Sequence, residues 1–253
     1  MNNKESNFIS AVVYLHNGET NTFVFLNMIN SVLADNFKKY EIICVSDGAD
    51  EAVLDEVRKF KAENIGTIVS VVKMGFQHGI EAAMNAGIDL SIGDFVFEFD
   101  SCYIDYGKEL VMQVYRKALE GFDIVTAVPP KKQSKVSSRM FYSIFNHFSD
   151  CEEELMTERF LVISRRAINR VSAYSKTIPY RKAVYASCGL SLYNMEYHVA
   201  KQCSGVKAND EEKGNTAIDS LILFTNVSYK VSIVISVIMA IFMIVAGTYT
   251  VVS

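Results

Sequence analysis

From residue 8 to 128 the chain alternates between two patterns: short runs rich in β-branched and aromatic residues, and longer stretches whose apolar side chains recur every three or four positions. The runs FISAVVYL (8–15), YEIICVS (40–46), TIVSVVK (67–73), DFVFEFD (94–100) and FDIVTAV (122–128) predict strands. The stretches 20–35, 50–63, 78–91 and 106–119 predict helices between them. Strands joined through helices need right-handed crossovers, which lay the strands parallel and cover both faces of the sheet. The expected fold class is therefore α/β, a mostly parallel sheet flanked by helices. Glycines fall where such a fold turns: Gly48 after the second strand, Gly75 and Gly79 after the third, and Gly93 before the fourth.

Beyond Pro129 and Pro130 the pattern changes. SSRMFYSIFNHFSD (137–150) predicts a helix with Met140, Ile144, Phe145 and Phe148 on one face. RFLVIS follows as a short apolar run, a further helix begins near Arg165, and ASCGLSLYNMEYHVAKQ (186–202) has no clear period. SGVKANDEEKGN (204–215) reads as a polar loop, and AIDSLILFTNVSYK (217–230) as an amphipathic helix lying at a membrane interface. The stretch 231–252, VSIVISVIMAIFMIVAGTYTVV, contains no charged residue. As a helix it is long enough to cross a hydrocarbon core of ~30 Å, and a transmembrane helix is expected there rather than a buried core helix. The expected division is a globular domain over 1–203, a loop and juxtamembrane helix over 204–230, and the span over 231–252. Lys230 immediately before the span places the domain on the cytoplasmic side of an inner or plasma membrane by the positive-inside rule. Ala246 and Gly247 would allow the span to self-associate as a homo-oligomer.

Charge and cysteine content narrow the picture. A formal charge of −4 gives no general attraction to nucleic acid, so no nucleic-acid partner is expected. The five cysteines, Cys44, Cys102, Cys151, Cys188 and Cys203, are scattered without a C-x-x-C pair, which argues against a disulfide framework and against structural zinc. They read as reduced, cytosolic thiols.

In a parallel sheet, ligands bind beyond the carboxyl ends of the strands. That rule directs attention to Asn17 and Glu19, Asp47, the Gly75–Gly79 loop, and Asp100 to Asp105. Taken in order, VVYLHNGE, VSDGADE, GFQHGIEAAMNAGIDLSIGDFVFEFD and FLVISRRAINRV resemble the blocks of the family 2 glycosyltransferases with the GT-A nucleotide-diphospho-sugar transferase fold. The likeness extends over residues 8 to 190 and is greatest to the dolichyl-phosphate-mannose-synthase-like branch, which acts on polyprenyl phosphate.

The resemblance implies a nucleotide-sugar donor, a polyprenyl-phosphate or glycan acceptor at the membrane, and a role in cell-surface polysaccharide or lipid-linked sugar synthesis. It implies that Asp47 accepts from the base of the nucleotide, with Asn17 and Glu19 contacting the same nucleotide. A helix cap is the competing use for Asp47. Gly75, His78 and Gly79 form a loop before a helix N-terminus, a setting that favours phosphate.

Asp100 aligns with the first carboxylate of the family's D-x-D motif, Cys102 with the second, and Asp105 with an acidic residue a little further on. Asp100 and Asp105 are therefore the expected catalytic carboxylates, and Asp100, Cys102 and Asp105 the expected ligands of Mg²⁺ or Mn²⁺. Both ions prefer oxygen ligands, so a thiol at 102 weakens the set. Three outcomes stay open: Asp100 and Asp105 hold the metal, the metal site is weak or absent, or transfer is lost and the domain serves as a nucleotide- or partner-binding scaffold. Arg181 and Lys182 are the favoured groups for an acceptor phosphate. Two departures from the family stand out: Arg159 where an acidic residue is usual, and Gly205-Val206-Lys207-Ala208 where the lipid-phosphate motif is expected.

Overall fold

The computed structural model describes residues 4–130, 136–149, 154–174, 180–200 and 220–252. The expected loop at 204–215 and the motif at 205–208 lie outside the described residues, as does the boundary drawn at 203.

Five strands appear where the alternating runs predict them: β1 (Glu5–Leu15), β2 (Phe37–Ser46), β3 (Ile68–Lys73), β4 (Phe95–Phe99) and β5 (Ile124–Val128). Between them lie α1 (Thr22–Asn36), α2 (Glu51–Glu63), α3 (Ile80–Leu90) and α4 (Glu109–Ala118). Then follow α5 (Val136–Phe148), β6 (Phe160–Ser164), α6 (Arg165–Tyr174), α7 (Arg181–Ser187), β7 (Leu192–Glu196) and the long apolar α8 (Val227–Val252).

The strands form one seven-stranded sheet in the order β3-β2-β1-β4-β6-β5-β7. All neighbours are parallel except β6, which runs antiparallel to both β4 and β5. Buried central strands need apolar residues on both faces, and for this reason Ile42 to Val45 of β2 read as a continuous apolar run. α1, α2 and α4 cover one face through residues such as Phe25, Val57 and Val111. α3, α6 and α7 cover the other through Met84, Ile168 and Tyr185. Each large apolar side chain buried in these layers contributes about 1.5–3 kcal/mol. α3 lies so close to the sheet that a Cβ on Gly87 would sit 2.5 Å from Val12 and 2.6 Å from Val45.

A third cluster joins the C-terminal elements: Phe145, Leu155, Tyr180, Ala183 and Ala186, with Phe141, Tyr142, Leu221 and Phe224 packed against it. The buried face of α5 therefore differs from the expected one. Met140 is exposed, and Phe141 and Tyr142 take its place because α7 approaches from their side.

The segment 186–202 has no clear period in the sequence; its described part, 186–200, holds the end of α7 and the edge strand β7. A continuous amphipathic helix over 217–230 does not form in the described residues. A helical turn over 220–224 ends at Thr225, which bridges to Ser149, and α8 starts at Val227. Residues 227–250 form the one helix among the described residues that is long and apolar enough to cross a membrane, and none of it is buried against the domain.

Candidate active site

β1 to β4 run parallel, so the segments leaving them all emerge along one edge of the sheet. β6 enters from that same edge because it is antiparallel. Its first residue pairs with Phe99, which brings Glu158 and Arg159 to the end of β4.

Asp47 closes β2 and is 1% exposed. Its Oδ1 accepts from the backbone N–H of His78 at 2.7 Å, and its Oδ2 from that of Gly79 at 2.8 Å and from the Tyr14 hydroxyl at 3.2 Å. The carboxylate thus ties β2 to the N-terminus of α3, where backbone N–H groups and the helix dipole favour a negative charge. Gly79 turns there with φ of 89°, a conformation side-chain-bearing residues rarely adopt. The cap of α2 is Asp50, which accepts from Val53 N at 3.0 Å, so Asp47 caps no helix of its own loop. The His78 ring stacks on Phe76 at 3.8 Å, and Gly75 and Asn17 are exposed. Glu19 is buried: its Oε2 accepts from the backbone N–H of Cys102 at 3.3 Å, and its Oε1 has no hydrogen-bond partner. Burial raises its pKa.

Asp100, at the end of β4, faces two cations carried by α7. Arg181 Nη2 donates to its Oδ1 at 2.9 Å, and Lys182 Nζ lies 3.5 Å from its Oδ2. Arg181 is 1% exposed and also pairs with Glu81 of α3 at 2.9 Å and with Glu98 of β4. Tyr185 donates to the other Glu98 oxygen at 2.7 Å, and Lys182 pairs with Glu158 at 3.0 Å. Four carboxylates thus surround two cations. Burial pushes the Glu98 carboxyl up to about 7, against the pull of Arg181, and burial likewise raises Glu158. Burial alone would lower Arg181 and Lys182, but the surrounding carboxylates hold both above their ordinary values.

Asp105 lies in a second cage. Arg159 grips both of its oxygens, at 2.8 Å and 2.5 Å, and the Tyr197 hydroxyl donates to Oδ1 at 2.8 Å. The same guanidinium rests over the Tyr103 ring at 4.7 Å. Cys102 is fully buried in the apolar core beneath α1, and burial drives its thiol well above the ordinary range, so it stays protonated.

The sequence profile of glycosyl transferase family 2 matches residues 10–189. The chain belongs to this family. Over 232 residues it is 26% identical to an uncharacterized glycosyltransferase of Synechocystis sp., covering 88% of this chain and 71% of that one. Over 131 residues it is 25% identical to the undecaprenyl-phosphate 4-deoxy-4-formamido-L-arabinose transferase of Pseudomonas aeruginosa, covering 52% of this chain and 38% of that transferase. It also spans 59% of the uncharacterized glycosyltransferase YkcC of Bacillus subtilis, at 22% identity and over 74% of its own length.

Among solved structures, mannosyl-3-phosphoglycerate synthase from Rubrobacter xylanophilus superposes with a TM-score of 0.60 at 14% identity, over 83% of this chain and 70% of that one. Glucosyl-3-phosphoglycerate synthase from Mycobacterium tuberculosis, in complex with Mn²⁺, UDP-glucose and phosphoglyceric acid, superposes with a TM-score of 0.55 at 14% identity, over 83% and 76%. The fold is GT-A, and the family makes the protein a glycosyltransferase.

In this family 2 glycosyltransferase the expected metal ligands are not brought together. Asp100 is paired with Arg181 and Lys182, both oxygens of Asp105 are held by Arg159, and the Cys102 thiol is turned into the core. Among the described residues no three His, Cys, Asp or Glu side chains form a group able to hold an ion. As paired here, the described side chains do not form a ligand set for a divalent cation. Arg181, expected at an acceptor phosphate, is enclosed by Glu81, Glu98 and Asp100, whereas Lys182 retains 15% side-chain exposure.

Sequence reasoning missed Glu81, Glu98, Glu158 and Tyr185. Glu98 carried a signal, since a charge inside the apolar strand FVFEF requires a buried partner. The others carried none, because only the packing of α3, α7 and β6 brings them together.

Proposed function

We propose that this glycosyltransferase moves a sugar from a nucleotide-diphosphate sugar to a membrane-held acceptor, polyprenyl phosphate, in cell-surface polysaccharide or lipid-linked sugar synthesis. The observation that carries the reading is the junction between the apolar helix and the catalytic domain. Asn226 N–H donates to Phe148 O at 3.2 Å, Thr225 bridges to Ser149, and Lys230 Nζ lies 4.9 Å from the centre of the Phe148 ring. With α8 in the bilayer, α5 is held at its surface without a linker, the catalytic domain on the cytoplasmic side.

Beside α5 opens a cleft of about 530 Å³, lined by Val128 and Pro129 at the end of β5, by Arg139, Tyr142 and Asn146, and by Thr157 next to Glu158. Its volume suits a small ligand, and Thr157 in its wall directly precedes Glu158, the partner of Lys182. The name of the Pseudomonas aeruginosa relative, an undecaprenyl-phosphate transferase, agrees with an acceptor of this class.

The donor nucleotide belongs at the ends of β1 to β3, among Asn17, Glu19, Asp47 and the Gly75, His78 and Gly79 segment. Asp47 acts there by fixing the backbone of residues 78 and 79, whose loop faces the diphosphate. In the transfer, an oxygen of the acceptor phosphate attacks the anomeric carbon, the bond to the diphosphate breaks, and the nucleoside diphosphate leaves with the electron pair. The acceptor phosphate is already anionic, so no residue has to remove a proton. Lys182 is the more exposed of the two cations at the end of β4, and it offsets the charge of the leaving diphosphate.

A second reading rests on Glu158. Its side chain is 10% exposed, and burial raises its pKa, as suits a base for a sugar hydroxyl.

The test supplies the full chain, in vesicles containing undecaprenyl phosphate, with labelled UDP- and GDP-sugars. Label in the lipid phase, unchanged within a few-fold in Glu158→Gln, is the expected result. Transfer only to sugar hydroxyls, falling by about 10²-fold or more in Glu158→Gln, would select the second reading. Nucleotide binding without any transfer would leave a binding-only domain.

A further inference from the structure

We infer that this glycosyltransferase binds its nucleotide-sugar donor without a divalent cation, its own arginines and lysine standing on the carboxylates that would otherwise hold one. The inference rests on the donor site proposed above and goes beyond it by assigning how the charge there is met.

Mg²⁺ and Mn²⁺ bind through several oxygens at short distance, usually with carboxylates that have no stronger claim on them. Each candidate here has such a claim. Asp105 is held in a two-point pair by Arg159 and receives Tyr197 as well. Asp100 receives Arg181 on one oxygen and has Lys182 near the other. Glu98 is occupied by Arg181 and Tyr185, and Glu158 by Lys182. A metal entering at Asp105, or at the Asp100 oxygen bonded to Arg181, would have to displace a guanidinium that is largely or wholly buried. That guanidinium would be left unpaired, which is strongly unfavourable.

Position 102 offers no escape. The backbone of Cys102 is fixed at both polar groups, N–H to Glu19 at 3.3 Å and C=O from Asn21 Nδ2 at 3.3 Å. With the main chain held so, the side chain points into the core, and the thiol is fully buried among the apolar residues under α1.

The Mycobacterium tuberculosis neighbour is in complex with Mn²⁺ and UDP-glucose, so the inference separates this chain from a protein of the same fold. The experiment is calorimetric titration of the full detergent-solubilised chain with UDP, GDP and dTDP, each in EDTA and in Mn²⁺. A parallel spin-resonance titration counts Mn²⁺ bound per chain at saturating nucleotide.

The expected result is binding of at least one nucleotide in EDTA, with a Kd that changes less than about threefold in Mn²⁺. That is well short of the tenfold given by about 1.4 kcal/mol of metal-mediated binding. No stoichiometric Mn²⁺ beyond that carried by free nucleotide is expected. Binding that tightens tenfold or more in Mn²⁺, or one Mn²⁺ per chain with nucleotide, overturns the inference and leaves the donor site standing. Absence of binding in both conditions overturns the inference together with the donor site.

Discussion

Replacing Arg181 by methionine would remove the guanidinium that now joins the carboxylates of Glu81, Glu98 and Asp100 at the end of β4. Removing one partner of a buried ion pair costs about 3–5 kcal/mol, because the remaining charge is left unpaired in a low-dielectric interior. The expected outcome is a loss of that order in urea unfolding of Arg181→Met, with Arg181→Lys recovering part of it. Glu98 contributes to the pH dependence of stability. Its folded pKa, about 7, lies above the ordinary 4.5, so the folded state holds a proton that the unfolded state releases. The stability it contributes is therefore complete below 4.5 and is lost as pH rises through 7. Glu98→Gln should flatten the fall in unfolding free energy across that window, by a few kcal/mol relative to the native chain. A parallel slope in both proteins would show that Glu98 does not titrate there.

α3 joins sheet and site, and two residues fix its placement. Gly87 lets it approach β1 and β2, where a methyl group would meet Val12 and Val45 at 2.5 and 2.6 Å. Gly87→Ala should cost about 1–3 kcal/mol by overpacking, read as a lower melting temperature. At its N-terminus the helix hangs from Asp47 through the amides of His78 and Gly79. In Asp47→Ala those amides lose buried partners, at about 1–3 kcal/mol. Faster hydrogen exchange at residues 78 to 83, with the strands unchanged, is the expected signature. Much of this layer was legible beforehand. The runs from β1 to β5 and the helices between them follow directly from periodicity, and the end-of-strand rule pointed to Asp47 and Asp100. α7 was not legible, because seven residues are too few to show a helical period, and β7 was not, because LYNME carries neither a continuous apolar run nor a clean alternation.

At the scale of the whole molecule, the domain and the apolar helix meet at a short hinge, Thr225 and Asn226, bonded to the end of α5. Ending the chain at Asn226 should abolish flotation with phospholipid vesicles and leave nucleotide affinity within a few-fold. Persistent flotation would place the membrane contact on the domain itself. The third cluster, which packs α5 and α7 against residues 221 and 224, extends the hinge into the fold. α7 thus contacts both the third cluster, through Ala183 and Ala186, and Asp100, through Arg181 and Lys182.

The sequence by itself determined the layers: apolar periodicity specifies which segments are strands, helices or a candidate span, since burial of each face is decided locally. It also determined the family, through ordered blocks that end on strand tips. Only the tertiary structure decided what those tips do. Whether a carboxylate is free to hold a metal depends on which charge is packed against it. The partners of Asp100 and Asp105, Arg181 and Arg159, lie far along the chain and are delivered by α7 and by the segment entering β6. Cys102, in the loop that leaves β4, is buried with its backbone hydrogen-bonded to Glu19 and Asn21. Pairing of this kind is a property of three-dimensional contact, which no local pattern encodes.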